Sequence, residues 1–214
     1  MSKQTPVVIV GTDRFARQVA AIFQQQHALI YGFLALSKDE IVADELNDIP
    51  VLGAYTDKPY QKMLRNEKLD YFVAVSDFRL RPDVFNELFE AIGRLPLQAI
   101  HPTAWVSQYA DIAQGVFIGP NCSIEADASI DSLAWLGPNV VVESEAHVGY
   151  ACNIHAGSVV GRGASLAEGV DVGRGCIIHQ GVSVGKGAIF APGAVVLAQV
   201  AEGAKMYGNP AQTA

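Results

Sequence analysis

Every sixth residue from Val106 to Val196 is aliphatic or phenylalanine, running Val106, Ile112, Ile118, Ile124 and onward without a break to Val184, Phe190 and Val196. A smaller residue stands four positions after each, as at Ala110, Val116, Cys122 and Ala128. A period of six matches neither the ~3.6 of an α-helix nor the ~3.5 of a coiled coil, and the many Val, Ile and Gly residues oppose a helix. The spacing predicts short parallel strands wound as a β-helix around a triangular prism, with the large and the small residue of each hexapeptide both turned inward. Three faces make a coil of roughly eighteen residues, coils stack about 4.8 Å apart, and the segment holds about five of them. Gly119, Gly137, Gly149, Gly161, Gly173 and Gly185 each follow an inward aliphatic residue, where their expected task is to permit tight backbone turns.

Ahead of the repeats the pattern alternates between strand and helix. Val7 to Val10 reads as an apolar strand, and Phe15, Val19, Ala20, Ile22 and Phe23 form a helical stripe within Arg14 to Gln25. Leu29 to Leu36, the short Ile49 to Leu52, Tyr71 to Val75 and Leu97 to Ile100 read as further strands, with helices over Pro59 to Arg65 and Pro82 to Ile92. The fold class is α/β + β: a small Rossmann-like domain over residues 1–101, then a parallel β-helix over 102–214. In such sheets ligands bind beyond the carboxyl ends of the strands, so Gly11, Thr12, Asp13 and Arg14 are the candidate substrate-binding turn. Asp13 repels a phosphate and Arg14 attracts one. A tight turn capped by Thr12 or Asp13 is the alternative reading.

A net charge of −7 without a Lys or Arg run argues against nucleic acid and anionic membranes and toward small-molecule partners. Met1 to Gln4 is polar and leads into a short strand, which reads as no signal peptide, no membrane insertion and a cytoplasmic protein. Cys122, Cys152 and Cys176 all fall on the small inward position, as buried thiols do; their spacing fits no zinc motif, and no metal is expected.

The α/β segment, the junction Ile100, His101, Pro102, Thr103, Ala104, the coils, and the closing Gly208, Asn209, Pro210, Ala211 together resemble the bacterial NeuD/PglD sugar acyltransferases over nearly the whole chain. Phe72 to Asp77 with Arg79 resembles that family's third strand and the polar loop after it. The resemblance implies a left-handed β-helix, a homotrimer with active sites between subunits, and acetyl transfer from acetyl-CoA to an amine or hydroxyl of a nucleotide-linked sugar for bacterial surface glycans. On the family pattern the catalytic His falls on Ser144, a second active-site His on Asn153 and an upstream Asn on Gly137, while the acidic neighbours Glu143 and Glu145 persist. The family's acidic pair after the second strand is replaced by Ala35 and Leu36.

Acyl transfer needs a general base, usually His, and donors for the oxyanion. With Ser144 and Asn153 at the family's His positions, His155 and His147 are the candidate relocated bases, with Glu145 as orienter. Each is otherwise a solvent-facing turn residue. Gly161, Arg162, His179 and Gly181 are the candidate CoA-binding positions. Arg162, Arg174 and Lys186, twelve residues apart, otherwise read as solvated edges, and His101 serves the domain junction. Trp105 and Trp135 are expected to pack between domains or subunits. The competing reading is a silent coil-built scaffold for binding or assembly.

Overall fold

The computed structural model describes residues 5–213, so the polar Met1 to Gln4 stretch lies outside the described residues. The chain divides into two compact units, Met1–Ala99 and Ile100–Ala214. The first contains β1 (Val7–Val10), α1 (Arg14–Gln25), β2 (Ile30–Ala35), β3 (Glu45–Leu46), β4 (Ile49–Ala54), α2 (Lys58–Leu64), β5 (Asp70–Val73) and α3 (Arg81–Ile92). Its five-stranded sheet has the order β3-β4-β2-β1-β5. β4, β2, β1 and β5 run parallel, and β3 joins β4 antiparallel through Asn47 and Asp48, both at positive φ. That two-residue turn twists with its strands, which is why Asn and Asp suit it.

The strand order reverses between β1 and β5, because β2 and β4 extend the sheet to one side of β1 and β5 lies on the other. Open parallel sheets leave a crevice at such a switch point. The buried stripe of α1 seats Phe15 and Phe23 edge-on against Phe72 of β5, with ring centroids 6.5 and 6.1 Å apart. Gly11 ends β1 at φ +129°, where a Cβ would lie 2.1 Å from the Ala74 carbonyl oxygen; only glycine lets these strand ends approach so closely.

The expected strand Leu97 to Ile100 is not part of this sheet. Leu97 gives one hydrogen bond to Tyr71, after which Ala99–Ile100 forms the first strand of a coil face. Ile100 stands six residues before Val106 and so extends the hexapeptide series by one step.

From there the chain winds as a left-handed β-helix whose two-residue strands build three faces of six, five and eight strands. One face carries the outward residues Trp105, Ser123, Val141, Val159, Ile177 and Val195; the second Asp111, Ser129, His147, Ser165 and Ser183; the third Phe117, Trp135, Asn153, Asp171 and Ile189. The inward series forms one continuous core from Val116 to Met206. Gly208 to Ala211 turns the chain back, so that Gln212–Thr213 pairs antiparallel with Lys205–Tyr207.

Backbone hydrogen bonds lace the coils in both directions. Strand N–H groups donate to the following coil, as from Ser123 to Val140 and from Gly149 to Leu166. Turn N–H groups donate to the preceding one, as from Gly157 to Pro138 and from Gly169 to Tyr150. Those turn residues take positive φ, and it is they that require left-handed backbone: Gly157, Gly163, Gly169, Gly175 and their successors in later coils, with Asn121, Asp127, Leu133, Asn139, Glu145 and Ala151 in earlier ones.

The glycines after the inward aliphatics do something other than the turning expected of them. Gly119, Gly137, Gly149, Gly161, Gly173 and Gly185 are not at positive φ; a Cβ on each would come within 2.4 to 3.0 Å of backbone in the next coil. Their role is to let coils stack. The three cysteines sit on the inward corner and are buried, each thiol donating to a carbonyl fifteen residues on: Cys122 to Gly137, Cys152 to Ala167 and Cys176 to Ala191. Burial pushes the Cys152 thiol up to about 12, which leaves it protonated and unreactive at neutral pH.

The lacing can be tested with three variants, each read by denaturant titration at fixed protein concentration. Gly173→Ala places a methyl 2.5 Å from the Phe190 carbonyl and should destabilise by about 3 kcal/mol or more, since backbone must move. Gly175→Ala, with open space around it but φ +65°, should lose only about 1 kcal/mol. Glu145 holds φ +63° without the local hydrogen bonding that suits Asn or Asp to that region, so Glu145→Gly should stabilise by about 1 kcal/mol. Equal losses at Gly173 and Gly175, or a destabilised Glu145→Gly protein, would contradict this account of the coils.

Candidate active site

In the α/β unit a cleft of about 420 Å³ opens at the switch point, lined by Gly11, Thr12 and Asp13 after β1, by Leu36, Glu40 and Val42 after β2, and by residues 74–77 and Leu80 after β5. Of the four expected substrate-binding residues, Gly11, Thr12 and Asp13 line it; Arg14 is exposed and does not. Asp13 is the N-cap of α1. One carboxylate oxygen accepts from the N–H groups of Phe15 (2.8 Å) and Ala16 (3.0 Å), and the other from the N–H and the hydroxyl of Ser76.

The helix N-terminus that elsewhere receives a phosphate is therefore occupied by the protein's own anion. Behind it Arg81 is buried, donates from Nε to the Val75 carbonyl and stacks over Phe15. Burial brings its guanidinium down to about 10, against the pull of Asp13 and Asp77, so it stays charged at neutral pH. Glu40 gives the end of β2 an acidic group that the residues Ala35 and Leu36 did not reveal: its carboxylate accepts the Leu36 N–H at 3.3 Å. The cleft presents Asp13, Glu40 and Asp77 between aliphatic walls, and its lining contains no Lys or Arg.

On the coils the expected residues fall on different edges. Ser144 and Glu145 occupy the corner after strand Val141–Val142. Gly161 and Arg162 lie one coil further on the same edge and His179 and Gly181 two coils further, joined by the bonds from Gly163 to Ser144 and from Gly181 to Arg162. His147 is on the next face, where Nδ1 lies 2.9 Å from the Ser129 hydroxyl and Nε2 3.6 Å from Asp131. Asn153 and His155 belong to the third face and the corner after it.

Glu143 and Glu125 serve the coil itself. Glu143 accepts the Arg162 N–H at 2.8 Å, and Glu125 the Ser144 N–H at 3.0 Å, so each carboxylate caps a turn one coil on. Glu145 orients neither histidine. The partner of His155 is Asp171, whose Oδ1 lies 3.1 Å from Nε2. The imidazole also meets the edge of Trp135, centroids 5.1 Å apart, and Trp135 stacks on Phe117 at 5.9 Å. Trp135 thus packs within its own coil face, and Trp105 is exposed.

Asn153 pairs in the ladder with Trp135 on one side and Asp171 on the other and is buried, so His155 touches the rungs on both sides of it. His179, Arg162 and Arg174 are exposed; among the described residues Lys186 is ion-paired with Glu168, and no carboxylate pairs with Arg162 or Arg174. His101 bonds locally to Thr103. Among the described residues no group of three or more His, Cys, Asp or Glu could hold a metal, and no helix is long and apolar enough to cross a membrane.

No protein-family model matches the chain, and no curated protein does. Solved structures match over almost its full length. PerB from Caulobacter crescentus, solved with CoA and GDP-perosamine, is 26% identical with a TM-score of 0.78, covering 98% of this chain and 97% of that one. A histidine-to-asparagine variant of perosamine N-acetyltransferase from the same organism, also with CoA and GDP-perosamine, is 26% identical with a TM-score of 0.64, covering 98% and 96%. The acetyltransferase domain of PglB from Neisseria gonorrhoeae, at 22% identity, shares the fold with a TM-score of 0.85, covering 99% and 100%. An α/β unit followed by a left-handed coil is thus the fold that this chain shares end to end with these structures.

Proposed function

We propose that this protein is an acetyl-CoA-dependent acetyltransferase acting on an amino or hydroxyl group of a nucleotide-linked sugar, in the cytoplasmic synthesis of bacterial surface glycans. His155 carries the reading. Its Nε2 is bound to a carboxylate, its Nδ1 has no protein partner among the described residues, and its side chain is 30% exposed. A neutral imidazole so held can take a proton at Nδ1. His147 is the second candidate, with Ser129 on one nitrogen and Asp131 near the other, so neither ring nitrogen is left clear.

The donor supplies an activated acetyl group as a thioester. The substrate nitrogen or oxygen attacks the thioester carbonyl, His155 takes the proton it sheds, and collapse of the tetrahedral oxyanion breaks the C–S bond. The same proton then passes to the departing thiolate, giving the acetylated sugar and free CoA. Ser144, at one of the family's histidine positions, serves as a donor to the reacting groups with Glu145 flanking it, while Asn153, at the other, is buried between the rungs of Trp135 and Asp171 that hold His155. The guanidinium of Arg162, which pairs with no carboxylate among the described residues, fits the phosphates of CoA, and the exposed His179 and Gly181 lie one coil further along the same edge, whereas Arg174 stands on another corner of the prism. Gly161 supports that surface by allowing the coils to stack.

In the α/β cleft, carboxylates accept from the hydroxyl and N–H groups of the nucleotide, with Gly11 and Thr12 forming its floor. Ser144 and His155 stand on different edges of the prism, so the site is completed between copies in a homotrimer. PerB, with CoA and GDP-perosamine bound, supports this assignment of donor and acceptor class.

Titration calorimetry with acetyl-CoA should give saturable heat, and thiol release against a panel of nucleotide-linked amino sugars should identify the acceptor. His155→Ala should lower kcat by about 10²- to 10⁴-fold and His147→Ala by less than about tenfold. No heat at high acetyl-CoA concentration would favour a silent scaffold, and full turnover in His155→Ala would reject the proposed base.

A further inference from the structure

We infer that Asp171 is the positioning residue of this reaction, holding His155 as the Nε2–H tautomer so that Nδ1 faces the substrate; this rests on the reading of His155 as the base. A carboxylate only accepts hydrogen bonds, so a neutral imidazole 3.1 Å from Asp171 Oδ1 must carry its proton on Nε2. The other nitrogen then keeps its lone pair, which is what a base requires.

The arrangement is rigid for reasons in the coil itself. Asp171 begins strand Asp171–Val172 and is fixed in register with Asn153, one rung from His155. Its side chain is 23% exposed, and that of His155 30%, so solvent reaches the pair without surrounding it. The edge of Trp135 closes the opposite side of the ring at 5.1 Å. The positions one coil before and after His155 are Gly137 and Gly173, which leave its flanks clear of side chains. A Cβ on Gly137 would stand 2.9 Å from the Ala156 nitrogen, directly beside the histidine backbone. Aromatic wall, carboxylate and flanking glycines together frame the imidazole in an orientation that meets both Trp135 and Asp171.

The test is Asp171→Asn, close to isosteric, in the full-length protein. An amide can donate to Nε2 and drive the proton onto Nδ1, the nitrogen that must be free. We expect kcat to fall about 10²- to 10⁴-fold, as for a base in the wrong tautomer, with KM for acetyl-CoA changed less than about twofold. Asp171→Glu, which still presents a carboxylate, should recover part of kcat. Melting temperature is read alongside, and long-range ¹H–¹⁵N correlation spectra, assigned with His155→Ala, report the tautomer independently of turnover.

Nε2–H in the native protein, lost in Asp171→Asn, is the expected result. An Nδ1–H tautomer in the native protein overturns the inference whatever the kinetics. Unchanged kcat in Asp171→Asn while His155→Ala is inactive also overturns it, yet leaves His155 as the base. Full turnover in His155→Ala removes the base itself and with it any positioning role, and that result is separable because the spectra still decide the contact.

Discussion

The two-way backbone lacing between coils is the constraint from which the rest of this structure takes its form. Strand N–H groups point to one neighbouring coil and turn N–H groups to the other, and each turn meets this demand by placing one residue at positive φ. Stacking at strand spacing then brings backbone against backbone at the corners, where six positions have room only for glycine. Large and small inward side chains fill what remains of the interior. Outward strand positions and the remaining corner residues escape these demands, and Ser144, His147, His155, Arg162 and His179 are found among them.

Periodicity alone exposes the inward series, because side-chain direction repeats with the chain. It does not show which backbone atoms face the next coil. That is why Gly137 and Gly173 read as turn formers, although their actual constraint is a neighbour 2.5 to 2.9 Å from a missing Cβ. Ile100 was legible as a further member of the series, yet its place beside the strand-rich Leu97 segment drew it into the α/β sheet. In that sheet, α1 and its Asp13 cap were readable from local pattern, whereas the bonds from Asp13 to Ser76 join residues 63 apart and have no local signal.

The histidine cluster follows the same logic. His155 and Asp171 are sixteen residues apart, and Asp171 is one full coil beyond Asn153. With a coil of eighteen residues fixed by the register, partners near that spacing are spatial neighbours, but a search for an orienting acid near in sequence finds Glu145 instead. Glu145 has the right chemistry on the wrong edge. Glu143 illustrates the opposite case, since the resemblance sets it beside the site, yet its carboxylate, like that of Glu125 one coil earlier, satisfies a turn N–H group. Spacing finds such residues; only the donors around them separate a structural carboxylate from an orienting one.

The same geometry decides what a single protomer can do. Ser144 and His155 are eleven positions apart, more than half a coil, so one lies at the end of the first face and the other at the end of the third. A winding with three corners cannot bring these side chains to one reacting carbon without breaking the ladder between Val141–Val142 and its neighbours. Moving either residue by six or twelve positions only transfers it to another corner. If both serve one acyl transfer, the second must come from another copy, where the end of one face meets a different edge. Assembly would then be a condition of the chemistry, imposed by the prism that makes each coil stable.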